Sequence, residues 1–306
     1  MKNWLFLLCG MALFWYGCGL GDAQKTMKLA TEAAAKQDWK TVRELSEKRI
    51  HSVPTDKDAA VLLALALFHT ESDKPASIDR AINCMRQVLT NENQRYDLYF
   101  IYGWILLNTG HFQEARIPLQ TAYELHLKDP HNIGQDAQGL VKYALGRCCM
   151  MNGLYKDALK YYEQATKSTD FNDWSTLYND IAFCHICQRD YGNAMNALKT
   201  ALEKNNLSKQ KAEKELLKNP DAPLYENPYE YILFLNTAVV TDYLSFPQYN
   251  PTNAAAFSAI RQAWYNSAES MVAAAAKASP NASQQQELNN LQRKINLRKA
   301  ALAGTK

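Results

Sequence analysis

A set of six positions recurs along this chain at one fixed spacing. Gly103, Gly110, Phe112, Ala115, Leu119 and Ala122 are separated by 7, 2, 3, 4 and 3 residues. Gly146, Gly153, Tyr155, Ala158, Tyr162 and Ala165 repeat those gaps. So do Ala182, Arg189, Tyr191, Ala194, Leu198 and Ala201, with Arg189 standing where the other two units have glycine. The units are offset by 43 and then 36 residues. Two antiparallel helices account for every position. The small first residue lets one helix approach its partner closely. The glycine seven residues on takes a left-handed conformation just past the helix end. The aromatic plugs the turn, the next alanine lets the second helix pack tightly, and the larger residue one turn later fills the groove. A period of this kind means a stack of supersecondary units, none of which buries its apolar face alone.

This spacing closely resembles the tetratricopeptide repeat, a helical hairpin of about 34 residues. The stretch LGRCCMMNGLYKDALKYYEQA, from Leu145 to Ala165, is the strongest match. Weaker copies lie upstream. Leu29, Ala30, Trp39, Val42 and Pro54 fit a first unit; Val61 to His69, with Ile78, Ala81, Met85 and Val88, fits another with a longer turn at Glu71 to Pro75. The resemblance spans about residues 23–205. It implies an all-α fold, an α-solenoid of about five hairpins wound into a right-handed superhelix, with extra C-terminal helices as its cap. Composition agrees. Gly 12 and Pro 10 are low counts for 306 residues, which favours helices joined by short turns. With 47% hydrophobic and 21% charged residues the chain can bury a core. Lys plus Arg is 34 against 31 for Asp plus Glu, too near balance for a nucleic-acid binder.

The remainder divides by pattern. Lys2 precedes an apolar run from Trp4 to Tyr16, closed by Gly17-Cys18-Gly19. Residues 1–17 read as a secretory signal, too short to span a membrane comfortably. Cys18 stands where a bacterial lipoprotein signal places its lipid-accepting cysteine, after a small Gly17. The expectation is an exported protein of the bacterial cell envelope, anchored at the outer membrane and facing the periplasm; stable anchoring needs two or more lipid chains. A plain signal peptide cleaved nearby and an uncleaved anchor are the rival readings, and Cys9 is the rival cysteine. Residues 18–205 form the solenoid. Residues 206–227 read as a polar connector, with a short helix from Lys209 to Leu217. Residues 228–306 read as C-terminal helices: an apolar one to Leu244, an Ala-rich one over Asn253 to Ala278, and a final one over Gln284 to Leu302. Leu288, Leu291, Ile295 and Leu302 share one face of that last helix, which suits a cap. Its Arg293, Lys294, Arg298 and Lys299 favour the negative end of the helix or touch anionic lipid.

The first helix of each unit carries a second stripe. Phe100, Trp104, Leu107 and Asn108 lie together, one turn apart. The equivalent residues are Tyr143, Arg147, Met150 and Met151, then Asn179, Phe183, Ile186 and Cys187. In tetratricopeptide repeats that face lines the concave groove, so the resemblance implies an aromatic, Met-rich groove with one cation. Aromatics and Arg are common hot-spot residues, and Met adapts to varied partners. An apolar or aromatic segment of another protein fits such a wall, with Arg147 pairing to a carboxylate or carbonyl. The rival reading fills the groove with the chain's own apolar helix from 228 to 244. Asn179 alone does not make the Lys/Asn carboxylate clamp of chaperone-binding repeat proteins.

Five cysteines lie inside the solenoid: Cys84, Cys148, Cys149, Cys184 and Cys187. Cys184-His185-Ile186-Cys187 is a C-x-x-C, placed in mid-helix and without the second pair a zinc site needs. Cys148 and Cys184 occupy equivalent positions where a small apolar residue is expected, so they read as structural; a bridge between neighbouring helices, and a metal or redox role, are the alternatives. Six histidines show no ligand or triad spacing, and no nucleophile elbow, phosphate loop or dinucleotide fingerprint is present. The expectation is a non-catalytic protein with no metal and no cofactor, whose partners are other envelope proteins and, through Cys18, the lipid bilayer. An accessory of outer-membrane assembly, and a lipid or small-molecule carrier using the apolar C-terminal helices, are the alternatives.

Overall fold

The computed structural model describes residues 22–90, 94–128, 135–168, 174–219, 230–244, 254–277 and 282–303. The signal segment, with Cys9 and Cys18, lies outside the described residues. Every regular element among the described residues is an α-helix. The chain forms two compact units, residues 1–153 and 154–306.

The first unit holds α1 (Asp22–Ala35), α2 (Trp39–Ser52), α3 (Lys57–Thr70), α4 (Pro75–Leu89), α5 (Tyr96–Asn108), α6 (Phe112–Lys128) and α7 (Gln135–Met151). Helices pair as α1/α2, α3/α4 and α5/α6. The second helix of each pair packs on the first helix that follows, and α1, α3, α5 and α7 touch in succession. That pattern is stacking of hairpins in a solenoid.

The turns explain why these pairs form. Gly110 and Gly153 have φ of +88° and +75°, the left-handed region expected of them. Arg189 takes the same conformation at +61°, and Gln37 at +58°. Gln37 is the equivalent residue of the first hairpin, two positions before Trp39, and its sequence carries no glycine signal. After each of three such turns one backbone N–H reaches five residues back: Asp38 to Ala33, His111 to Leu106 and Asp190 to His185, each at 2.9 Å. This bond satisfies a carbonyl that the helix end would otherwise leave open. Asp38 and Asp190 then cap the following helix, their carboxylates accepting from the N–H of Thr41 and Asn193.

Outside the turns, the recurring positions are the ones that disappear from solvent. Ala115, Leu119, Ala122, Ala158, Tyr162, Ala165, Ala182, Ala194, Leu198 and Ala201 are fully buried. Gly103 is where α5 meets α6 most closely: a Cβ there would stand 2.6 Å from the Leu119 Cγ. The longer turn at 71–75 is held by Glu71, which accepts from Lys74 at 2.7 Å and Ser77 at 2.5 Å and pairs with Arg43 at 2.9 Å. These contacts, led by the Lys74 bond, hold its carboxyl down at about 2. The first upstream copy is looser, with Ala30 and Val42 buried but Leu29 53% exposed, while Ile78, Ala81, Met85 and Val88 of the second are all buried.

The second unit holds α8 (Tyr155–Ala165), α9 (Ser175–Cys187), α10 (Tyr191–Lys218), α11 (Glu230–Leu244), α12 (Ala254–Lys277) and α13 (Ala282–Ala303). α10 runs without a break through 206–218, so this part of the polar stretch continues the repeat's second helix and is not a separate short helix. α11 packs on both α9 and α10, as the first helix of a next hairpin does, and α12 returns along it. Tyr265, Ala268, Val272 and Ala275 of α12 bury against Ala238 of α11 and against Leu288, Leu291 and Ile295 of α13. The final helix thus covers the apolar face of that hairpin, while Arg293 and Lys294 stay exposed. The fold is an all-α solenoid of tetratricopeptide-type hairpins with additional C-terminal helices as a cap.

Candidate partner-binding face

In the first unit α5 brings Phe100 and Trp104 together, one helical turn apart, with ring centroids 5.8 Å apart and planes 28° from parallel. Phe100 is 1% exposed and lies beneath; Trp104 is half-buried and lies above it. Asn108 is exposed, and its amide donates to the Trp104 carbonyl at 2.8 Å, which fixes its orientation. Leu107 is buried. On α7, Tyr143 is fully buried, Met150 is buried, and Arg147 is half-buried. Met151 is 43% exposed. It borders a depression of about 360 Å³ at the turn, with Gly110, His111, Phe112, Gln113, Glu114 and Asn152. Of the eight residues expected in this unit, Trp104, Asn108, Arg147 and Met151 offer surface. The other four form the layer below.

The second unit supplies four of the expected residues, Asn179, Phe183, Ile186 and the exposed Cys187, all on α9. Phe183 is 37% exposed and meets Tyr155 edge to face at 6.4 Å. Ile186 is half-buried against the core of the α9/α10 hairpin. Asn179 is 4% exposed, and its carbonyl oxygen accepts from the Asn236 amide at 3.0 Å. At Asn179, therefore, the chain's own α11 occupies the face. Sequence reasoning missed Asn236, although a lone amide inside the apolar run YILFLNTAVV is a visible signal. It also missed Tyr155 as a neighbour of Phe183, because Tyr155 read only as a turn plug.

The cysteines sort by burial. Cys148 is fully buried, its thiol donating to the Phe112 carbonyl at 3.3 Å, and burial pushes its pKa up to about 11. Asn152 donates to the same carbonyl at 3.0 Å, so two side chains of the α7 end close the start of α6. Cys149 and Cys184 are buried, Cys84 is half-buried and Cys187 is exposed; none of the five is in a disulfide. The C-x-x-C is not in mid-helix as expected: Cys187 is the last residue of α9, because the left-handed Arg189 ends the helix. Among the described residues no three His, Cys, Asp or Glu side chains are grouped to hold a metal ion, and no helix is long and apolar enough to cross a membrane.

No protein-family model matches the chain, and no curated protein matches it. Solved structures do. MamA MSR-1 is 14% identical with a TM-score of 0.51, over 61% of this chain and 98% of that one. The MamA RS-1 ArsTM double mutant is 13% identical with a TM-score of 0.51, over 63% and 99%. YrrB, a TPR protein with an unusual peptide-binding site, is 15% identical with a TM-score of 0.47, over 60% and 86%. At these identities the likeness to MamA is one of fold, and it agrees with the hairpin stacking seen in each unit.

Proposed function

We propose that the protein is a non-catalytic interaction scaffold that binds extended segments of other proteins along the first-helix faces of its hairpins. The observation that carries this reading is Trp104, a large aromatic held half-exposed on a buried Phe100, with an oriented Asn108 amide beside it. A rigid aromatic with an adjacent amide offers apolar contact and a backbone hydrogen bond at small ordering cost. Arg147 and Met151 add to this surface in the first unit; Phe183 and Ile186 offer a surface of their own in the second. Phe100, Leu107, Tyr143, Met150 and Asn179 act by supporting it.

The setting proposed for this activity rests on the N-terminal sequence: export, lipidation at Cys18 and a place in the bacterial cell envelope at the outer membrane, with envelope proteins as partners. Service in outer-membrane assembly is one form it would take. A lipid or small-molecule carrier would need an enclosed cavity among the C-terminal helices. Their apolar residues Tyr265, Val272, Leu288 and Ile295 instead pack on one another.

The test is site-specific photocrosslinking in the native cell. A crosslinking residue at Asn108 captures a defined partner, and one at Ile117, 75% exposed on α6, does not. A peptide from the captured segment binds the purified protein, and Trp104→Ala weakens it. Equal capture at both positions, or binding indifferent to Trp104, refutes the reading.

A further inference from the structure

The two thiols of the C-x-x-C sit differently. Cys184 is fully buried, and Cys187 is the exposed one. They lie one turn apart at the end of α9, where the helix tightens. The Gln188 N–H reaches the carbonyls of both Cys184 and His185, at 3.2 and 3.1 Å, and the Arg189 N–H reaches Ile186 at 2.9 Å. Residues three apart in a helix are neighbours on one face. Cys184 and Cys187 therefore share a face of the terminus, the first beneath the surface and the second on it. Tyr155 gives a second view of the same juxtaposition. Cys187 first, and Cys184 more weakly, raise the pKa of its hydroxyl.

We propose that Cys187 and Cys184 form a thiol–disulfide exchange site for small disulfides, with Cys187 as the attacking thiol and Cys184 as the resolving one. The Cys187 thiolate, its proton lost to solvent, attacks one sulfur of a small disulfide. A mixed disulfide forms and one small thiol departs. Cys184, deprotonated in turn, attacks the Cys187 sulfur and expels the second thiol. Two protein thiols are oxidised to one disulfide, and the small disulfide is reduced to two thiols. The last turn of α9 is the part that must move, since a disulfide needs the Cβ atoms at about 3.5–4.5 Å and a helical turn holds such pairs at about 5–6 Å. Phe183 and Ile186 share that turn, so oxidation would also shift part of the binding face; this consequence, unlike the exchange chemistry, rests on the peptide-binding reading.

The test uses the reduced full-length chain, exposed to oxidised glutathione and mapped by peptide mass spectrometry. The expected product is an internal Cys184–Cys187 disulfide with release of both glutathione thiols. Cys184→Ala, a small residue suited to the buried site, stops at a glutathione adduct on Cys187. Cys187→Ser leaves Cys184 unmodified. A stable adduct on Cys187 of the unaltered protein, or no reaction at either residue, overturns the proposal. The unaltered protein decides the matter even where the Ala variant fails to fold. Peptide binding measured before and after oxidation is a separate readout that bears only on the coupling to the face.

Discussion

Arg189 occupies a conformation that its own side chain disfavours. At φ +61° it does the work of Gly110 and Gly153 in the equivalent turns, and the left-handed region costs a non-glycine residue about 1 kcal/mol. Arg189→Gly is therefore expected to stabilise the protein by about 1 kcal/mol, and Gly153→Ala to destabilise it by about 1 kcal/mol or more. A Cβ at Gly153 meets nothing within 4 Å, so that loss is backbone strain alone. Equilibrium denaturation of the full chain measures both; equal stabilities would show that the turn relaxes freely. His69 makes a second residue-scale case. It stacks on Trp39 at 4.1 Å with Phe68 edge-on at 5.0 Å, and burial drives its pKa down from 6.5 to about 4. Between those values the unfolded chain holds a proton that the folded chain refuses. Stability is full above pH 6.5 and falls as pH drops toward 4. His126, lowered by burial and by Lys142, acts in the same direction. His69→Phe keeps the stack and removes one of the two contributions. The loss of stability between pH 6.5 and 4.5, above the range where Glu71 titrates, should become shallower in that variant, as followed by thermal unfolding.

At the scale of elements, the local geometry that depends on residue type was legible in the sequence. The positions at gaps of 7, 2, 3, 4 and 3 demand a small contact, a left-handed turn and a tight second helix, and Gly103, Gly110 and Ala115 fulfil those demands. Gln37 was not legible as a turn residue, because the closing bond from Asp38 to Ala33 is made by backbone and needs no glycine. The extent of α10 was hidden for a different reason. Residues 206–218 are polar because that part of the helix is largely exposed, and polarity alone does not separate a solvated helix from a connector. The candidate face was legible as a stripe but not in depth. Periodicity assigns Phe100 and Trp104 to one side, and only packing decides which of them lies beneath. The docking of α11 shows the same limit, since its register depends on a contact 57 residues apart in sequence, Asn236 to Asn179. Removing one partner of a buried amide pair strands the other at a cost of about 1–3 kcal/mol. Asn236→Ala is accordingly expected to destabilise the second unit and to speed hydrogen exchange in α11 ahead of α9. Replacing both by leucine should recover part of the loss. If the single and double variants exchange alike, the bond plays no part in holding α11.

For the whole molecule, two expectations reach beyond any one hairpin. If acyl chains on Cys18 hold the protein to a bilayer, Cys18→Ala moves it to the soluble fraction of lysed cells while its helical content is unchanged; retention in the membrane fraction would count against the anchor. The binding proposal is sharper, because burial separates support from contact. Phe100→Ala removes a ring that is 1% exposed and should cost about 3–5 kcal/mol of stability. Trp104→Ala should leave the midpoint of unfolding nearly in place and weaken a bound peptide by about 2 kcal/mol, roughly thirtyfold in Kd. Phe183→Ala asks the same of the second unit. A segment that contacts both side chains is weakened by each change, and further by the paired variant. A segment held by the first unit alone is indifferent to Phe183. Calorimetric titration of one captured peptide against the three variants therefore yields both the existence of the face and the number of units that carry it. A peptide bound with full affinity by all three would leave these aromatic side chains without the role assigned to them.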